Sequence, residues 1–141
     1  MPKMDEAKAI LSALKMPPSQ QSDICCYTLL AMAGLRKQTK WAAADNDWHR
    51  IHDIMNFTDS AYGVRYAENS RETFRKQAIH HFRNAAIVED NGKATNSPNY
   101  RYRLTDEFLQ MLKKYGTSEW DAMVEDFCAT HSTLIEIYAS K

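Results

Sequence analysis

The chain has 141 residues, 44% hydrophobic and 26% charged, which suits one globular domain with a real core and argues against a disordered polymer. No apolar run nears the roughly 18 residues of a membrane-spanning helix, so a membrane partner is not expected. Eighteen Lys/Arg balance eighteen Asp/Glu, and a net charge of zero excludes a uniformly basic nucleic-acid carrier.

The zero total hides an uneven distribution. Residues 1–64 hold seven basic and seven acidic side chains, residues 65–104 eight and four, and residues 105–141 three and seven. A basic middle is followed by an acidic end, and local potential is what steers a polyanion. The excess is modest, so moderate affinity with clear salt dependence is expected of any nucleic-acid contact. Three cysteines, two of them adjacent (Cys25, Cys26), make no disulfide framework. The amphipathic, acid-bearing N-terminus is no signal peptide. A reducing, cytoplasmic setting is expected.

In chain order, Ala9, Ile10, Ala13 and Leu14 predict a helix over 5–15, stopped by Pro17 and Pro18. A second helix runs from Ile24 through Tyr27, Leu30 and Ala31 to Leu35, with Gly34 at its end. Trp41 and the following alanines predict a short helical turn. Ile51, Ile54, Met55, Thr58, Ala61 and Tyr62 form a stripe that Gly63 ends. The next helix, over 69–83, is one-sidedly apolar. Phe74, Ala78, Ile79, Phe82, Ala85 and Ala86 share one arc at 100° per residue. Asn69 as N-cap and Glu72 three residues on predict a capping box.

The period then changes. Ile87 and Val88 predict a short strand, residues 89–99 a polar loop, and residues 100–104 a returning strand. On that strand Tyr100, Tyr102 and Leu104 share one face and the basic Arg101 and Arg103 the other. Thr105 caps a further helix containing Phe108, Leu109 and Leu112. Ser118 is expected to cap another containing Trp120, Val124 and Phe127, and a last segment carries Leu134, Ile135 and Tyr138. The fold class expected is mainly α: a single domain over 1–141, with a winged helix-turn-helix core at about 20–104. A short two-stranded β hairpin forms the wing, with flanking helices at 5–15 and 105–138. The chain ends inside a helical pattern, which fits both a natural terminus and a boundary between domains.

Little in the sequence suggests catalysis. Glu6-Ala7-Lys8 has a nuclease-like spacing, but no acid stands far enough upstream to join it. His49 and His52 lack further metal ligands nearby, and Cys128 with His131 reads as core. No Gly-rich phosphate loop exists, and no small-molecule substrate, metal or other cofactor is expected for this chain. The remaining constellation is contact with double-stranded DNA. Thr73, Lys76, Gln77 and His80 lie within about 100° of one another, opposite the apolar arc, as a base-reading set would. Gln can pair with adenine and Lys with guanine. Arg71, Arg75, Arg83, Lys93, Arg101 and Arg103 are the expected contacts to the DNA backbone.

The run Asn69-Ser70-Arg71-Glu72-Thr73, then Arg75-Lys76-Gln77 and His80-x-Phe82, resembles the N-terminal domain of the PstI/BsuBI family of type II restriction endonucleases. Ala7-x-x-Ile10-Leu11-x-Ala13-Leu14 with Pro17 and Pro18 is similar to that family's opening helix. Leu29-Leu30-Ala31, Gly34-Leu35, Trp41, Asn96-Ser97, Tyr115-Gly116 and Trp120 extend the likeness over nearly the whole chain. The resemblance implies a helix-turn-helix DNA-binding domain preceding a Mg-dependent catalytic domain that cleaves the palindrome CTGCAG, a symmetry that goes with a homodimer. The catalytic carboxylates and lysine of such an enzyme are not in this chain. Two other readings fit the residues: a stand-alone winged-helix transcriptional regulator, and a protein-interaction module without DNA binding, using the acidic C-terminal helices.

Overall fold

Apolar residues recurring every three or four positions build the first two helices. In the computed structural model, which describes residues 2–93 and 97–139, α1 spans Pro2–Ala13 and buries Ala7, Ile10 and Leu11 completely. It ends before Lys15, because Lys15 adopts a left-handed φ of 60°. The reversal lets the Met16 N–H reach back to the Leu11 carbonyl (3.1 Å), a Schellman closure. A 3-10 turn at Pro18–Gln21 leads to α2 (Asp23–Met32), capped where the Ser22 hydroxyl accepts from the Cys25 N–H. Every residue of α2 from Cys25 to Met32 is buried, so α2 is the central helix.

A 3-10 turn forms at Trp41–Ala43, as the alanines suggest. α3 spans Ile51–Tyr62 and ends at Gly63, whose φ of 71° is the left-handed C-cap. Residues 71–84 form α4: α-helix over Arg71–Phe74, a widened π turn over Arg75–Ile79, and α-helix again over His80–Asn84. The expected capping box at Asn69 is absent. Asn69 lies in a preceding 3-10 turn (Glu68–Ser70), and no side chain caps α4. Glu72 is drawn to Arg75 instead.

α4 closes as α1 does. Ala86 takes φ 65°, its N–H bonds to the Arg83 carbonyl (3.1 Å), and the Ile87 N–H bonds to Phe82 (3.0 Å). The chain turns directly into β1 (Val88–Asp90), which pairs antiparallel with β2 (Tyr102–Leu104), Val88 opposite Leu104 and Glu89 opposite Arg103. His49, just before α3, exchanges two backbone bonds with Tyr102 on the other edge of β2 (2.7 and 2.8 Å). Ala94, Thr95 and Asn96 of the wing loop lie outside the described residues.

α5 (Asp106–Leu112) is capped by the Thr105 hydroxyl, as expected. α6 (Trp120–Thr130) is not capped by Ser118: the Thr117 hydroxyl accepts from the Glu119 N–H there. α7 spans Leu134–Ala139, entered through reciprocal bonds between Thr133 and Glu136. Among the described residues no helix is long and apolar enough to cross a membrane.

The aromatic core joins α2, α3 and α4. Tyr27 packs on Tyr62 and Tyr66, and Tyr66 meets Phe74 edge-on at 5.1 Å between centroids. The buried Tyr62 hydroxyl donates to the Leu35 carbonyl (2.6 Å). Burial lifts the Tyr62 phenol from 10.0 to about 12, and the Cys26 thiol from 9.0 to about 12. The raised values favour the neutral forms. The stability these groups lend is therefore whole below their unfolded values and lost as pH climbs toward 12.

Two outcomes are expected. The urea midpoint should fall between about pH 9 and about pH 11, and Cys26→Ala should make that fall shallower. Ala86→Gly should raise stability by about 0.5–1 kcal/mol in urea denaturation, because glycine relieves the left-handed strain that a Cβ suffers at this position.

Candidate nucleic-acid interface

α4 divides into a fixed side and a free side. Phe74, Ala78, Ile79 and Phe82 are buried, and the Cys25 thiol on α2 donates to the Gln77 carbonyl (3.2 Å) inside the π turn. Burial pushes the Cys25 thiol up, so it stays a protonated donor. Gln77 thus has its main chain pinned to the core and its side chain in solvent. Lys76 and His80 are likewise exposed, and Thr73 is half-buried. All four expected base-reading residues stand on the outward line of one helix.

The far end of α4 is held by α7. The His81 Nδ1 hydrogen-bonds the Tyr138 hydroxyl, which also accepts from the Asn84 amide (3.2 Å). Burial, then the neighbouring His80, holds the His81 imidazole below its ordinary range. His81 therefore belongs to the scaffold while His80 faces out.

The expected backbone contacts are less uniform. Arg83 forms an ion pair with Asp90 at 2.8 Å, tying α4 to the wing. Asp90 also accepts from the Tyr100 hydroxyl (3.3 Å) and the Gly92 N–H (2.8 Å). Lys93 is exposed in the wing loop. Arg101 and Arg103 do not make one free basic face. Arg101 lies outside the short β2, and its guanidinium donates to the Pro98 and Tyr100 carbonyls (2.7 and 3.0 Å). Arg103 sits on the outer sheet face, bonded to Glu89 (2.7 Å) and stacked on Trp48 (4.4 Å to the ring centroid). Neighbouring loop carbonyls orient Arg101, and partners distant in sequence orient Arg103; the strand's own alternation sets neither.

Between the start of α3, the first turn of α4 and the wing lies a cleft of about 800 Å³. Arg50, His52, Asn69, Arg71, Arg75 and Tyr100 are among its lining residues. Arg75 is gripped by Glu72 through two bonds (3.0 and 2.6 Å), and these hold the Glu72 carboxyl below its usual range. Arg71 approaches Glu68 at 3.9 Å, and Glu68 also meets the His52 Nδ1 at 3.3 Å. Arg50 escaped the sequence reading, and His52 was weighed there only as a metal ligand. The spacing Arg50-x-x-Asp53 at a helix start was the available signal. Among the described residues no group of three or more His, Cys, Asp or Glu is placed to hold a metal.

Three helices packed around α2, a two-stranded wing and an outward polar face on the third of them define a winged helix-turn-helix domain. Comparison with known proteins gives its lineage. The model of the BsuBI/PstI restriction endonuclease HTH domain matches residues 1–136. The type II restriction enzyme BsuBI of Bacillus subtilis is 34% identical over 140 residues, covering 96% of this chain and 44% of that protein. The type II restriction enzyme AplI of Arthrospira platensis is 26% identical over 141 residues, again covering 44% of its length. Among solved structures, the SdaI restriction endonuclease superposes with a TM-score of 0.86 at 28% identity, over 96% of this chain and 43% of that one. The chain belongs to the BsuBI/PstI restriction endonuclease HTH domain family, and it spans less than half the length of these relatives.

Because Asp90 joins α4, Tyr100 and the wing turn, Asp90→Ala should destabilise the domain by about 1–2 kcal/mol, read as a lower urea midpoint. Wing amides should also exchange faster with solvent, while those of α1 and α2 are unaffected.

Proposed function

We propose that this chain is the DNA-binding part of a type II restriction endonuclease of a restriction-modification system, acting on double-stranded DNA in the cytoplasm. In this reading α4 enters the major groove with Thr73, Lys76, Gln77 and His80 toward the base edges, and the hairpin follows the backbone. The observation that carries the proposal is the division of α4. Its polar line faces solvent beside the wing, while its main chain is anchored to the core at Gln77. The family match and the names of the relatives support the same reading.

Cleavage, with its Mg, then belongs to the remainder of such an enzyme, and this segment alone leaves DNA intact. A palindromic target such as CTGCAG calls for a homodimer, so that two copies of α4 meet equivalent half-sites. Gln77 and Lys76 supply the side-chain chemistry for adenine and guanine. Lys93 and Arg101 in the wing, with Arg71, Arg75, Arg83 and Arg103, supply the cations for phosphates. Arg83 and Arg103 do so only by sharing their present carboxylate partners.

Titrating the chain against a CTGCAG duplex and a scrambled duplex at two salt concentrations tests this. The expected result is tighter binding to CTGCAG and weaker binding of both at higher salt. No binding to either duplex at low salt sinks the proposal. Gln77→Ala should cost about 1–3 kcal/mol of the preference between duplexes, with less effect on total binding. Arg101→Ala should weaken both duplexes alike and reduce the salt slope by about 1.

A further inference from the structure

Two arginines of the cleft share one unusual restraint. Arg75 donates from Nε (3.0 Å) and Nη2 (2.6 Å) to the two oxygens of Glu72. Arg50 donates from Nε (3.3 Å) and Nη2 (2.9 Å) to the two oxygens of Asp53. In each case the acid stands three residues from the arginine on the same helical turn and occupies the same edge of the guanidinium. The Nη1 side of each group has no partner among the described residues, and both arginines line the same cleft.

A carboxylate on the Nε–Nη2 edge fixes the plane of a guanidinium and leaves its remaining N–H groups as a preset donor fork. Such forks fit phosphate oxygens, and a side chain already held loses less freedom on meeting one. The cleft lies at the N-terminal end of α4 and against the wing residues Ser97, Pro98 and Tyr100, off the line running from Thr73 to His80. That position suits a sugar–phosphate backbone rather than base edges. Arg71, by contrast, meets Glu68 only at 3.9 Å and is not clamped in this way.

We propose that Glu72 and Asp53 are positioning residues that hold Arg75 and Arg50 as preset forks for backbone phosphates of a duplex seated in this cleft. The inference rests on the DNA-binding reading above, and it makes Arg50 a contact in addition to those on α4 and the wing. It also reverses the ordinary expectation for an acid on a DNA-facing surface. Neutralising such an acid removes repulsion and tightens binding, whereas neutralising a positioning acid weakens it.

The test measures affinity for CTGCAG and scrambled duplexes by fluorescence anisotropy. Glu72→Gln should weaken both roughly 3- to 10-fold, although it removes a negative charge. In an Arg75→Ala background the same change should weaken neither further, because Glu72 acts through Arg75. Asp53→Asn should repeat the pattern with Arg50→Ala. Asp53 also accepts the Arg50 backbone N–H (2.8 Å) at the start of α3, so thermal melts accompany this pair, and Glu72 on its exposed turn decides the matter.

Unchanged or tighter binding by Glu72→Gln overturns the proposal, as does equal weakening in the Arg75→Ala background. A loss confined to CTGCAG overturns the assignment to phosphates. If the unaltered chain binds neither duplex at low salt, the DNA reading itself fails and takes this inference with it. Binding by the unaltered chain with no effect of the variants strikes the inference alone.

Discussion

The contact between α2 and α4 is the constraint on which the rest depends. α2 is buried along nearly its whole length, so whatever packs on it inherits its rigidity. α4 buries Phe74, Ala78, Ile79 and Phe82 in the shared core and is tied to α2 by the bond from the Cys25 thiol to the Gln77 carbonyl. A widened turn carries its carbonyls differently from a regular one. Here the buried thiol lies against that turn, and the stretch that carries the exposed Lys76 and Gln77 is anchored from behind. Removing Phe82 or Phe74 would leave a cavity costing about 3–5 kcal/mol, enough to disorder the polar face without touching it.

The surface around α4 is governed by pairing rather than by a surplus of charge. Arg50, Arg75, Arg83 and Arg103 each have a carboxylate within 3 Å. Exposed pairs of this kind add little to stability. Their effect is geometric: they reduce the number of orientations a long side chain samples. Within the basic stretch of residues 65–104, Arg75, Arg83 and Arg103 are therefore cations with defined directions rather than part of a diffuse cloud.

Much of this architecture was legible in the residues. α3 and its stop at Gly63 appear where the stripe from Ile51 to Tyr62 predicts them, because amphipathic period and glycine C-cap agree there. The Thr105 cap and the outward line of Thr73, Lys76, Gln77 and His80 were readable for the same reason: each depends on neighbours within one or two turns. The misses depend on competition or distance. Glu72 could serve Asn69 or Arg75, and a charge-assisted double bond outcompetes a single backbone bond. Arg103 is oriented by Glu89, fourteen residues away, and by Trp48 on another segment. The π turn left no trace in the apolar pattern, since its flanking residues keep helical dihedrals.

The bridge between His49 and Tyr102 has a mechanical consequence. It makes β2 a central strand, flanked by β1 on one side and by His49 on the other. Arg50 follows His49 directly, so its distance from the wing root is measured in sheet spacings of about 4.8 Å rather than in loop lengths. Hydrogen-bonded strands are a stiff ruler. The jaw formed by α3 and the wing has its width set at the hinge by main-chain atoms, which no exchange of side chains along its rim would alter.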